Sequence, residues 1–403
     1  MTRVAIISEY NPFHLGHEHQ ICQIRHDFGE DTAILAFMCG NFVQRGTPAV
    51  FDKYNRAKAA VLCGVNLVLD YPFPFCVSGA NYFARFAVSA LTAMGGIDYL
   101  SFGVEGNQIE DLVEIANLLK SKEYDTALKE TIANCPQELG YAELREQAIR
   151  KVAPHISPSL YQSPNNILAL EYLSALAQYH SPIKPHFVTR TVDYHSPKAT
   201  PDGFASASYI RQLIMEKNFE QALQYCPNPS SALFQSLISS DLLAEQDCKL
   251  LGKMMLSSIR LRNSAAQNIF ECTDELSHRI FHSAQKANSY QDLIQSVQTP
   301  RYTTARIRRA LLHTFFGTKI AQDEVPAYAT LLGADHKGMT ILKEIHQNHS
   351  FNILTKPSDT FKLCSLGQSQ AEFCAKADRI YSLLVKGIHT GDEFQRSSPY
   401  CVR

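Results

Sequence analysis

Apolar positions in the first hundred residues fall into two alternating patterns. Short, nearly unbroken runs at Val4–Ser8, Thr32–Met38, Asn66–Leu69 and Tyr99–Phe102 read as buried strands. Stretches with apolar residues three and four apart lie between them: a helix from Gly16, an Ala- and Lys-rich helix over Lys53–Leu62 stopped by Gly64, and Tyr82–Met94 closed by Gly95-Gly96. Strands separated by helices of this length predict parallel βαβ units. Residues 105–150 are helical in pattern and acidic, with ten Asp/Glu against five Lys/Arg, as in a solvated helical insertion. A long helix over Asn165–Tyr179, a strand over His186–Thr191 and a helix over Ser206–Leu213 follow. The Pro-rich segment Cys226–Ser231 reads as a linker, and beyond it strand signals largely vanish.

The expected fold is therefore α/β: a Rossmann-like doubly wound parallel sheet over residues 1–230, with a helical insertion at about 105–160. A mainly helical C-terminal domain is expected over 231–403. Ligands of such sheets bind at the carboxyl ends of the strands. That rule gathers Glu9–His17, Gly40–Gly46, Asp70-Tyr71 and Gly103–Gly106 around one crevice.

With 403 residues, 45% hydrophobic and only 19% charged, the chain suits a packed globular protein and not a charge-driven disordered one. The net charge of −1 hides an uneven distribution: Lys253–Lys319 carries ten Lys/Arg and four Asp/Glu. Its densest part is Arg301-Tyr302-Thr303-Thr304-Ala305-Arg306-Ile307-Arg308-Arg309. On a helix Ile307, Ala310, Leu311 and Phe315 share one face, while Arg306, Arg309 and His313 share the other. A guanidinium stripe beside a tyrosine suits a phosphate backbone with an unstacked base; a solvated basic face is the plainer reading. The 11 cysteines are scattered without C-x-x-C spacing, which points to reduced thiols and a cytoplasmic setting. The short apolar run before Glu9 does not read as a secretory signal, and no stretch reads as a membrane span.

The strongest chemical signal is Asn11-Pro12-Phe13-His14-Leu15-Gly16-His17, directly after the first strand. Two histidines flanking a glycine at a strand-to-helix turn can meet an anion at the helix N-terminus. Such donors would stabilise the charge of a pentacoordinate α-phosphate as pyrophosphate leaves. An ordinary helix cap with two surface histidines is the alternative. Zinc on His14, His17 and His19 also competes, but H-E-x-x-H is missing and no metal site is expected. Gly40–Gly46 lacks the Lys-Ser/Thr of a P-loop, and the first βα turn lacks G-x-G-x-x-G. Ser206-Ala207-Ser208-Tyr209-Ile210-Arg211 opens a later helix with two hydroxyls and an arginine, either a second anion site or a plain N-cap.

Glu9–His17 resembles the HIGH-type nucleotidyltransferase superfamily, and Ser206–Arg211 is similar to its second, serine-containing motif. More narrowly, Gly40–Ala49 (GNFVQRGTPA), Ser163–Tyr172 (SPNNILALEY) and Arg301–His313 (RYTTARIRRALLH) resemble the tRNA(Met) cytidine acetate ligase family. Thr47 and Pro300 depart from the family's usual acidic residue and lysine. The resemblance implies an enzyme that activates acetate with ATP, with Mg²⁺ in attendance, to acetyl-adenylate. It then acetylates the exocyclic N4 amine of the wobble cytidine of elongator tRNA(Met). His14 and His17 would be catalytic. The ATP segment would run from Ile7 and Ser8 through Glu9, Tyr10, Asn11, Pro12, Phe13, Leu15 and Gly16 to Glu18, His19 and Gln20. Gly103, Asn165, Arg190, Thr191, Ser206, Ser208 and Arg211 would join it. Arg301, Arg306, Arg308 and Arg309 would face tRNA. A nucleotidyltransferase acting on a small phosphorylated metabolite, or a tRNA- and ATP-binding protein without chemistry, shares fewer of these motifs.

Overall fold

The structure is a computed structural model that describes residues 1–106, 108–134, 140–189, 203–348, 351–386 and 398–402. Strands β1 (Arg3–Ser8), β2 (Ala33–Cys39), β3 (Leu67–Tyr71), β4 (Tyr99–Val104) and β5 (Lys184–Thr189) form a parallel sheet in the order β5-β4-β1-β2-β3. Every residue of β2 and β3 is buried, which is why their sequences are continuous apolar runs. Alternate side chains feed two cores: Leu35, Phe37, Leu67 and Leu69 pack on one face, Ile34, Ala36, Met38 and Val68 on the other. Strand order reverses between β1 and β4, which opens a crevice at their carboxyl ends.

The helices cap as their sequences suggest. Asp52 Oδ1 accepts the backbone N–H groups of Tyr54 and Asn55 at 2.9 and 3.0 Å and starts the helix Lys53–Leu62. The acidic stretch after β4 forms the helices Ile109–Leu118, Lys122–Asn134 and Tyr141–Val152, then Pro158–Gln162 and Pro164–Gln178 lead into β5. The expected linker at Cys226–Ser231 is instead a helix start. Pro227 and Pro229 sit at the N-terminus of the helix Asn228–Ser239, where missing N–H groups leave no hydrogen bond unmade. Phe234 of that helix stacks on Phe51 with ring centroids 4.5 Å apart, so the chain stays packed on the sheet domain.

Residues 231–316 are helical, as expected, but strands return afterwards. β6 (Tyr328–Ala334) pairs antiparallel with β3, and β7 (Asn352–Leu354) and β8 (Tyr400–Cys401) pair with β6, so the end of the chain extends the first sheet. The helix Ser365–Ser382 follows β7 and reaches back to the start of the helix Lys53–Leu62 through Asp378, whose Oδ2 lies 2.8 Å from Lys53 Nζ. Among the described residues no helix is long and apolar enough to cross a membrane.

Candidate nucleotide-binding and catalytic site

The chain turns sharply after β1. Tyr10 is buried with φ +44°, a conformation tolerated because its ring packs against Phe13 and His17 at centroid distances of 4.9 Å. The helix Leu15–Phe28 then begins, with His14 as N-cap: its Nδ1 accepts the Gly16 N–H at 3.0 Å, and His17 Nδ1 accepts the His14 N–H at 3.2 Å. The two imidazoles stack with centroids 3.8 Å apart. Because each Nδ1 is an acceptor, each neutral ring carries its proton on Nε2, the atom on the side away from the backbone. The cap thus fixes two N–H donors beside a helix N-terminus.

Gly16 is required by that geometry, because a Cβ there would lie 2.9 Å from His14 Cε1. Gly16→Ala is expected to swing the His14 ring off its cap and lower turnover roughly 10- to 100-fold. Steady-state kinetics beside a thermal melt checks this, since the fold should persist.

The cavity at the strand ends is lined by Ile7, Ser8, Glu9, Tyr10, Asn11, His14, Gly16, His17, His19, Gln20, Gly103, Asn165, Ser206 and Ser208 among the expected residues. Pro12, Phe13, Leu15 and Glu18 do not line it; Phe13 is core, and Leu15 donates its N–H to Tyr225 O at 2.9 Å. Arg190 and Thr191 lie outside the described residues. Ser206 caps the helix Ala207–Met215, its Oγ accepting the Tyr209 N–H at 3.1 Å. Arg211 donates to Asn11 O at 2.7 Å and Ser208 Oγ at 3.2 Å, so it ties this helix to the histidine turn. Phe102, Leu168, Tyr172, Val188 and Phe204 add an apolar wall on the β4–β5 side.

Asp70 and Tyr71, expected at the crevice, turn into the core. Tyr71 stacks on Phe37 at 4.6 Å, and Asp70 pairs with Lys53 at 2.7 Å. One residue of this region carried no sequence signal, and a second was marked only through its loop. Arg56 is fully buried and donates to the carbonyls of Phe51, Glu9, Cys39 and Gly40, which clamps the ends of β1 and β2 together. Gln44 lines the cavity and donates its backbone N–H to Glu9 Oε1 at 3.1 Å; the Gly40–Gly46 pattern marked its loop but not this contact.

The basic helix Thr304–Phe316 is less exposed than its charge suggests. Tyr302 is only 2% exposed, so it cannot stack a base; Arg301 and Arg306 lie over its ring at 5.6 and 5.2 Å. Arg309 pairs with Glu271 at 2.7 Å, both mostly buried, whereas the Arg301–Glu275 pair at 2.8 Å is exposed. Gly46, at φ +74°, packs so closely that a Cβ would lie 2.8 Å from Arg309 N, which joins the cavity loop to this helix. Arg301, Arg306 and Arg308 retain exposed surface.

His313 is also buried, against the expectation of a basic outer face: Phe73, Val77 and Phe270 cover that side. Its Nε2–H donates to Val77 O at 2.8 Å, and among the described residues its Nδ1 has no partner. Burial holds its pKa down to about 4; Glu271 and the Val77 contact oppose that shift, and Arg309 adds to it. The unfolded chain therefore binds a proton that the folded chain refuses, and stability present above about pH 6.5 is lost toward pH 4, by up to roughly 3 kcal/mol. Thermal melts should fall over this window, with a shallower fall in His313→Phe.

The model of the HIGH Nucleotidyl Transferase family matches residues 1–396. The tRNA(Met) cytidine acetate ligase of Clostridium perfringens is 32% identical over 408 residues, covering 98% of each chain. The chain belongs to the tRNA(Met) cytidine acetate ligase family. The Clostridium kluyveri ligase is 33% identical over 100% of this chain and 99% of its own. Among solved structures, Thermotoga maritima TmcAL bound with alpha-thio ATP superposes with a TM-score of 0.91 at 28% identity, covering 100% of both chains. Its apo form gives 0.93. The doubly wound sheet is thus the fold shared with this ligase family.

Proposed function

We propose that this protein is an ATP-dependent ligase that acetylates the N4 amine of the wobble cytidine in elongator tRNA(Met), by way of acetyl-adenylate. The observation that carries the reading is the pair of capped imidazoles at the helix N-terminus, set in a cavity shared with the Ser206 helix start. Acetate is a poor acyl donor because oxide is a poor leaving group. Its oxygen attacks the α-phosphorus of ATP and pyrophosphate departs. The mixed anhydride then offers AMP as the leaving group. The Nε2–H donors of His14 and His17 and the helix N-terminus suit the charge built up on the α-phosphate.

Arg301, Arg306 and Arg308 are the groups proposed to meet tRNA phosphates, with Arg309 supporting them through Glu271. Among the described residues no cluster of three or more His, Cys, Asp or Glu could hold a metal. Mg²⁺ is accordingly proposed to arrive on the triphosphate, as this ion commonly does. A cytoplasmic location follows from the substrate.

Incubation with ATP, Mg²⁺ and labelled acetate, with and without bacterial tRNA, tests the reading. Label on cytidine that requires both ATP and tRNA supports it. No label, with pyrophosphate released only when another metabolite is supplied, would overturn it.

A further inference from the structure

We propose that Glu9 serves the acceptor half of the reaction: its carboxylate orients the cytosine N4 amine and takes the proton that leaves it. This rests on the acetate-ligase reading above.

Glu9 is the only acid among the described residues lining the cavity. The rest of that lining suits anions, with two helix N-termini and the paired imidazoles. A carboxylate about 4 Å from a phosphate charge is repelled by about 1–4 kcal/mol in surroundings between water and protein surface. Contact with the phosphates themselves therefore gives the Glu9 side chain no purpose, although its backbone belongs to the histidine turn. An amine with two N–H donors, which turns acidic as it attacks a carbonyl, does.

Its position agrees. Glu9 follows β1, and Gln44 N–H holds its Oε1 toward the loop after β2, away from the apolar wall at β4 and β5. Among the described residues its Oε2 takes no hydrogen bond. Arg56 fixes the Glu9 backbone through its carbonyl and clamps Cys39 and Gly40 alike, so carboxylate and loop form one rigid unit. The same loop touches the basic helix at Gly46, so a nucleotide strand lying along Arg306 and Arg308 reaches the cavity from the Gln44–Glu9 side. There the N4 lone pair forms the bond to the acetyl carbon. The anhydride C–O bond breaks with its electron pair leaving on AMP, and the N4 proton passes to Glu9 and on to water.

Glu9→Gln in the full chain keeps an oxygen for the Gln44 amide and removes the proton acceptor. Acetate-dependent ATP–pyrophosphate exchange and acetyl transfer to tRNA are measured side by side. The ratio of transfer to exchange is expected to fall about 100-fold. An unchanged ratio, including the case in which both rates fall together because Glu9 holds the cation of ATP or the fold is damaged, overturns the assignment. A wild-type chain that exchanges pyrophosphate but leaves tRNA unlabelled overturns the ligase reading and this assignment with it. Wild-type labelling matched by Glu9→Gln overturns the assignment alone.

Discussion

His17→Ala is expected to lower acetylation 10²–10³-fold, the usual effect of deleting one donor aimed at developing charge. His17 Nδ1 is committed to the His14 backbone N–H and its ring lies against that of His14, so Nε2–H is presented in one orientation without reorganisation. Removal also takes away one half of a reciprocal helix cap, with a stability cost of about 0.5–2 kcal/mol, too small to unfold the chain. Pyrophosphate exchange and acetyl transfer should fall together, because the donor is proposed to serve adenylation, on which transfer depends. That common loss separates His17 from Glu9, whose replacement changes the ratio. Near-wild-type turnover in a folded His17→Ala would remove the imidazole pair from the mechanism.

The second large effect is expected at Lys53. Its ammonium lies 2.7 Å from Asp70 Oδ2 and 2.8 Å from Asp378 Oδ2, with the Lys53 side chain 4% exposed. Burial alone would lower its pKa, but Asp378 and Asp70 overcome that and hold it well above the usual lysine value. Asn41 Nδ2 donates to the other Asp378 oxygen at 2.8 Å and its Oδ1 accepts the Lys53 N–H at 2.8 Å, so the cluster also anchors the start of the cavity loop. Lys53→Met leaves two buried carboxylates facing each other without their cation, and about 3–5 kcal/mol of stability should be lost. Replacing Asp70 and Asp378 by leucine in the same chain should recover most of it, because an apolar cluster of that volume has no charge to desolvate. Melting temperatures of the single and triple variants give the comparison. A single variant as stable as wild type would mean that the carboxylates are neutral.

The strands β1 to β5 and the histidine turn could be read from the sequence because both are governed by local rules. β2 and β3 are unbroken apolar runs since both faces of a central parallel strand are covered. The caps at His14 and Ser206 span two or three residues, within reach of any motif. The basic helix was legible as a helix, but its surroundings were not. His313 and Arg309 look like a polar outer face until Val77, Glu271 and the Gly46 loop are folded over them.

The same holds for β6, whose apolar residues do not say that they will pair antiparallel with β3. Glu9 meets Gln44 across 35 residues, and Lys53 meets Asp378 across 325. Such contacts obey no periodicity; they form because burying a charge or an amide is costly until a partner from elsewhere in the chain satisfies it. Sequence thus determined the parallel strands, the histidine turn and the family. Tertiary packing alone decided which acid faces the cavity, which arginines stay exposed, and how the end of the chain is bound back to its beginning.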